Sequence, residues 1–529
     1  MVSKASEDLP EPDRPVMTIN WSRGRSMSMF CRLWVRAPRM RIVSMSIFEV
    51  WGTCYYTAPR LFRSKGILAV NSQAREHSGM LPSERRAAVS LAGIFSLRML
   101  GMFMILPVFA LYTDKIAGAT PTLIGLAIGA YGITQALLQI PFGLLSDRLG
   151  RKPVIAAGLV LFALGSVIAA TSTSIYGIIL GRVIQGAGAI PSVVMALAAD
   201  LTREEQRTKA MAIIGISIGM SFSVALVAGP VLDHWVGISG IFWLTAVLAC
   251  VGIAVLYLIV PQPAVSSVHR DAQPVPAQFL SVLRDHELLR LDFGILILHM
   301  ILTASFTVLP LVLRDELGLA SAHHWYIYLP ALLLSIAAMV PFIIIAERHR
   351  RMRLIFLSAI LIVALAEFGL AFWHTSLQAV AGLVFLFYVG FNLLEATLPS
   401  LVSKMAPPDS KGTAMGFYSS AQFFGAFLGG VMGGWIQGRA GISGVLLFCG
   451  IGALLWFLVA MTMRNPRYLT SHLLQVGVLD AHNAKALAQR LTGVRGVAEA
   501  VVIGEEGVAY LKVDKHALDE QALAAVVPG

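Results

Sequence analysis

From residue 88 onward the chain alternates long apolar runs with short polar breaks, and about twelve of the runs are long enough for a helix to cross a bilayer. Such a helix takes roughly 20 apolar residues. The runs fall at 88–112, 121–145, 154–171, 175–198, 210–232 and 239–260, then at 292–313, 325–346, 354–373, 378–402, 413–436 and 441–463. Each is continuously apolar and rich in Leu, Ile, Ala and Gly, whereas barrel strands would alternate over about ten residues. The pattern therefore predicts an all-α membrane protein of twelve transmembrane helices, in two six-helix halves at 81–260 and 291–463. A polar connection at 261–290, with Pro, Ser, His and mixed charge, separates them.

Outside the runs the pattern changes twice. Residues 1–80 show no periodicity and predict a disordered basic tail or a non-native upstream extension. Residues 464–529 predict a linker and a small cytoplasmic α+β domain: strands at 472–476, 497–503 and 508–513, and helices at 483–491 and 517–527. That β-α-β-β-α order suits a ferredoxin-like domain without its last strand. A related metal-binding module would need two cysteines after the first strand, but the loop at 477–482 holds only His482, so no metal is expected.

Composition agrees with the runs. Mean hydropathy is +0.73 and charged residues are 13% of the chain, against about a quarter in soluble proteins. The net charge of +11 is uneven: residues 1–80 hold twelve Lys/Arg against six Asp/Glu, and the loops supply the rest. A nucleic-acid partner is therefore not expected. Counting Lys/Arg in alternate loops gives nineteen on one side and three on the other, which places both termini in the cytoplasm by the positive-inside rule. Cys31 and Cys54 lie in the tail, Cys250 and Cys449 inside runs, so no disulfide framework is implied.

Between the second and third runs stand Gly143, Asp147, Arg148, Gly150, Arg151 and Lys152, and a related charged reversal recurs at 341–352. A repeat at this distance predicts two related halves. The first loop resembles the signature loop of the major facilitator superfamily. Arg182, Gln185, Gly186 and Gly188 in run four, with Gly215, Gly219, Gly229 and Pro230 in run five, are similar to its drug:proton antiporter branch, although Asp233 stands where that branch has glycine. The stretches 96–104 and 200–204 and the small final domain narrow the resemblance to the YajR-type efflux transporters of that branch, over about 80–520.

The resemblance implies a conformational latch in which Arg151 pairs with Asp200 and Asp147 lies beside the start of run eleven, near Thr413 and Ala414. A plain topology signal is the alternative. It also associates Arg182 with proton coupling. Arg98 sits near mid-membrane, where a charge costs at least about 2.5 kcal/mol. It must face a cavity, an anion or a carboxylate. Gln135 and Gln139, on one face with Tyr131, either line that cavity or join helices. Protonatable candidates are His299, Glu367, and Asn392 with Glu395; Glu395 is preferred as proton carrier over a structural hydrogen bond, and Glu367 ranks last. Gln422, Phe423 and Phe424 are further lining candidates.

No Walker loop or hydrolase constellation is present in the sequence. The expected function is a monomeric, proton-coupled secondary transporter of a bacterial inner membrane, exporting a small hydrophobic or amphipathic compound by alternating access. It would use protons and that substrate within the lipid bilayer and no cofactor. Alternatives are a metabolite uptake symporter or facilitator, and a transport-inactive sensor acting through the final domain. Because Met80 is followed almost at once by Ser83, Glu84, Arg85 and the first run, translation is expected to begin there. N-terminal sequencing of the native protein checks this, and residues found before Met80 would refute it.

Overall fold

The computed structural model describes residues 79–262, 275–407, 410–465, 469–505, 507–514 and 517–526. The expectations for residues 1–78 and for 263–274, within the polar connection, lie outside them. Helix α1 is Pro82–Phe103, continued by Leu106–Phe109 and Ala110–Tyr112; α2 is Pro121–Leu149 and α3 Arg151–Thr171. Run four forms two helices, α4 Ile175–Ala187 and α5 Pro191–Asp200, and α6 is Glu204–Leu258. The second half has α7 His286–Leu311, α8 Trp325–Arg348, α9 Met352–Trp373, α10 Leu377–Met405 and α11 Lys411–Met461. Here α7 begins inside the stretch expected to be a loop, because the side chain of Asp285 caps it by accepting from the N–H groups of Glu287 and Leu288.

Among the described residues ten helices are long and apolar enough to cross a membrane. Two of them are double. Straight, the 55 residues of α6 would reach about 80 Å against a hydrocarbon core of about 30 Å. Gly237 (φ 63°) breaks α6 and Gly441 (φ 66°) breaks α11, a backbone that glycine adopts without a Cβ penalty. The chain folds back at the first break: Ser221 before it and Thr245 after it both reach α1, at Ser96 Oγ (2.5 Å) and the Gly101 carbonyl (3.3 Å). Twelve spans result, as the pattern predicts.

Run four departs from the expectation of one continuous helix. Gly188 leaves helical geometry (φ −74°, ψ 56°), and Pro191, lacking an N–H, starts the next helix. The break frees a carbonyl inside the membrane, and such a group needs a partner there.

Without water to expel, helices in a bilayer associate by close packing, which small residues permit. In α11 one set of glycines, Gly425, Gly429 and Gly433, lies against the backbone or side chains of Leu296, Met300 and Ala304 in α7. Gly430 and Gly434 lie against Gly125 of α2, while Gly129 and Gly132 meet the backbone of Phe427 and Phe423. A Cβ on Gly125 would stand 2.1 Å from the Gly430 carbonyl oxygen. This seam joins the two halves at the end of the bundle opposite the Gly143 loop. Side chains such as Leu164, Leu365 and Leu455 are exposed on the outer surface, where lipid would cover them.

The final domain has β1 Thr470–Gln475, α12 Ala481–Thr492, β2 Val497–Ile503, β3 Val508–Val513 and α13 Glu520–Val526. Its antiparallel sheet has the order β1-β3-β2, the ferredoxin-like arrangement without a fourth strand. Ala509, Leu511 and Val513 pack with Leu487, Leu491 and Leu523 from the helices. Lys512, on the other face, is buried and donates to the Lys404 carbonyl at the end of α10 (2.7 Å). Asp514 lies 3.7 Å from Arg350 in the α8–α9 loop. Among the described residues Arg350 is the one non-glycine with positive φ (54°).

Gly125→Val should wedge the seam open. Spin labels at Thr120 and Arg439, both exposed at that end, should move apart in a double electron–electron resonance distance distribution. An unchanged distribution would contradict the seam's tightness.

Candidate functional site

Three clusters gather nearly all the site residues expected from the sequence. The first is at the charged loop. Gly150 (φ 90°) ends α2 and opens α3, which turns Arg151 inward. Arg151 is buried and forms ion pairs with Asp147 and, at 3.1 Å, with Asp200 at the end of α5; its Nη1 also donates to Ser146 Oγ (2.6 Å). Lys152 is buried too and donates to the Val260 carbonyl (2.6 Å), fastening the loop to the end of α6. Arg148 is exposed, and Gly143 is packed tightly on Ser192, where a Cβ would come to 3.2 Å from Oγ. Thr413 is engaged by the Val275 N–H (2.9 Å) and by donating to Gln278 Oε1 (3.0 Å), so the start of α11 holds the segment joining the halves.

The second cluster is cationic and lies in the middle of the first half. Arg98 is 1% exposed; its Nη2 donates to Gln135 Oε1 (2.6 Å) and to the Gly188 carbonyl (2.9 Å). The break in run four thus supplies one of its acceptors. Arg182 donates to the carbonyls of Ala127 (3.1 Å) and Ile128 (3.2 Å) and to Gln185 Oε1 (3.0 Å), and Gln185 donates to Ser166 Oγ (2.7 Å). Gln135 continues to Gln139 (3.3 Å). Both guanidinium groups lie over the Tyr131 ring, at 5.6 and 5.2 Å from its centroid, within cation–π range. Among the described residues no ion pair joins either arginine to a carboxylate, and Nε and Nη1 of Arg98 are buried without a partner.

The third cluster is in the second half. Gln422 Nε2 lies 2.8 Å from His299 Nε2 and donates to Glu395 Oε1 (3.3 Å), while His299 stands 3.9 Å from Glu395 Oε2. The Glu395 side chain is partly exposed, but its Oε2 is buried and has no hydrogen-bond partner among the described residues. Asn392 turns away from Glu395 and donates to Ser335 Oγ of α8 (2.8 Å). Glu367 is wholly buried, accepting from Ser305 (2.9 Å), at a distance from this group.

An aromatic contact separates the second and third clusters. Phe423, next to Gln422, meets Tyr131 edge to face at 6.2 Å, and Phe222 of α6 meets Phe391 and Tyr388 of α10 at 6.5 and 6.4 Å. Tyr131 thus carries both arginines against Phe423, and His299 lies 5.9 Å from Phe391, so aromatic contacts between the halves stand beside both clusters. Of the helix motif in run five, Gly229 packs on the Met104 carbonyl and precedes Pro230, whereas Gly215 and Gly219 face open space. Sequence reasoning missed Glu84, a buried carboxylate that pairs with Arg203 (2.9 Å), and Ser146 and Ser166. Polar residues inside apolar runs were the available signal for the serines. Glu84 reads as an ordinary helix-start acid.

Several comparisons bear on these clusters. The family model described as Major Facilitator Superfamily matches residues 91–428 and 291–489. The inner membrane transport protein YajR of Escherichia coli (strain K12) is 48% identical over 438 residues, 82% of this chain and 95% of that protein. The multidrug resistance protein MdtH of Aeromonas hydrophila is 27% identical over 351 residues, covering 65% and 86%. A bacterial homolog of the human lysosomal transporter Spinster, solved inward-facing and occupied, shares the fold with a TM-score of 0.60 at 13% identity, covering 72% of this chain and 97% of that one.

Asp200→Asn should destabilise the protein by about 1–3 kcal/mol, short of the roughly 3–5 kcal/mol of an orphaned buried charge because Asp147 and Ser146 still hold Arg151. Thermal unfolding in detergent should show a larger fall for Asp200→Asn than for Asp147→Asn, whose carboxylate is partly exposed. The reverse order would remove Asp200 from the centre of the cluster.

Proposed function

We propose, for a chain that belongs to the Major Facilitator Superfamily and is therefore a multi-pass membrane transporter rather than an enzyme, that it exports small hydrophobic or amphipathic compounds in exchange for protons. The observation that carries this reading is the half-satisfied carboxylate of Glu395, whose Oε1 accepts from Gln422 while its buried Oε2 has no hydrogen-bond partner among the described residues and stands 3.9 Å from His299, next to the Phe423–Tyr131 contact between the halves. A carboxylate in such a place can exchange a proton and attract a cationic or polarised solute, while the aromatic rings accept its apolar part. The multidrug resistance name carried by one relative supports the solute class.

In this mechanism the cytoplasmic end is the one bearing the charged loops, and the glycine seam closes the opposite end. Solute enters from the cytoplasm when Glu395 is ionised. Rocking of the halves breaks the seam and forms a closed cytoplasmic face, and there the cluster of Arg151, Asp147 and Asp200, already formed within the first half, presents the charged surface that the second half latches onto. A proton from outside then neutralises Glu395 and releases the solute. The two arginines stay charged throughout, and they disfavour a second cation near the seam. The final domain, fastened to α10 and the α8–α9 loop, moves with the second half.

Proteoliposomes with an imposed pH gradient test the reading with lipophilic cations and dyes. Wild type should accumulate solute and dissipate the gradient, while Glu395→Gln should lose gradient-driven accumulation by about tenfold or more, the usual scale for a positioned proton-transfer group. Solute exchange without a gradient should survive in the variant. Gradient-driven flux undiminished in Glu395→Gln would overturn the role of this carboxylate, and no flux of any solute in wild type would favour a sensor.

A further inference from the structure

Where α7 and the end of α11 leave the apolar zone, a cavity of about 340 Å³ opens among Arg284, His286, Glu287, Arg290, Thr462 and Arg464. It is remote from the three clusters above. Its acids are already committed: Asp285 caps α7, and Glu287 pairs with Arg290 and accepts from the Arg464 N–H (3.3 Å), with the Arg464 side chain at 4.0 Å. The guanidinium of Arg284 has no partner among the described residues and is exposed, and Arg464 is highly exposed. The cavity is thus left with surplus positive charge, next to the N-terminus of a 26-residue helix, whose dipole adds to the same sign.

The surface leading from the cavity is apolar. Leu280 and Leu283 of the short helix Phe279–Leu283, Leu289 of α7, and Leu455, Leu458 and Met461 of α11 are all exposed. Phe279 anchors the short helix by an edge-to-face contact with Phe417 of α11 (5.3 Å). A soluble anion would satisfy the arginines but make no use of the lipid-covered leucines beside them, along which acyl chains already lie. A molecule with an anionic head and acyl tails satisfies both.

We infer that this cavity is a binding site for an anionic phospholipid, its headgroup phosphate held by Arg284 and Arg464 and its acyl chains lying along Leu289, Leu455 and Leu458. Arg290 stays paired with Glu287 and shapes the cavity wall. The site would hold the connection between the halves against the bilayer surface, because Arg284 follows directly on the short helix of that connection.

Native mass spectrometry of the full chain in phosphatidylcholine nanodiscs, challenged with phosphatidylglycerol and phosphatidylcholine of matched chains, tests this. Wild type should retain phosphatidylglycerol preferentially, and Arg284→Gln with Arg464→Gln should cut that preference by about twentyfold, the scale expected of two interfacial arginines at about fivefold each. The paired Lys substitutions, which keep the charge, should retain most of it and show that folding is intact. Equal retention of the two lipids, or a preference unchanged by the Gln substitutions, would overturn the site. Inorganic phosphate in excess should leave retention unchanged; full displacement by phosphate would overturn the lipid as occupant.

Discussion

Close approach of backbones along α11 sets where the other helices can lie. One glycine row admits α7 and the neighbouring row admits α2, so a single helix is packed to both halves with little side chain between. In a bilayer this is where stability comes from, since apolar side chains gain nothing by leaving lipid for protein. The same seam also excludes solute from one end of the bundle.

The charges are arranged around that contact by sign. Permanent cations, Arg98 and Arg182, occupy the first half and are held by carbonyls, glutamines and the face of Tyr131. The carboxylate and imidazole of Glu395 and His299 occupy the second. The arginines are spent on holding helices together, while Glu395 and His299 each keep one buried polar atom without a hydrogen-bond partner among the described residues. The broken fourth run shows the cost of this arrangement: α4 gives up its continuity so that the Gly188 carbonyl can reach Arg98.

Much of this was legible in the sequence because bilayers impose length. Twelve runs gave twelve spans, and the alternation in 497–503 and 508–513 placed β2 and β3 to the residue. The Arg151–Asp200 pair was readable only through the family's pattern, as the two residues are distant in sequence. The interruption at Gly188 was not foreseen, because Gly and Pro inside an apolar run are ambiguous: a continuous membrane helix tolerates both. Asn392 and Glu395 share helical spacing but not a partner, since spacing fixes a face and not the neighbour opposite. Nor does glycine spacing alone predict contact: Gly215 and Gly219 face open space while Gly125 and Gly430 touch.

The two charged reversals finally differ in a way that reaches beyond the membrane. Where the first copy has Gly150 at positive φ (90°), the second has Arg350, also at positive φ (54°), at a cost of roughly 1–2 kcal/mol for a side chain. Its guanidinium faces Asp514 of the appended domain. A duplicated turn has thus exchanged the freedom of glycine for an attachment point. The appended domain is thereby tied to the turn that joins two membrane helices, so a movement of those helices reaches it directly.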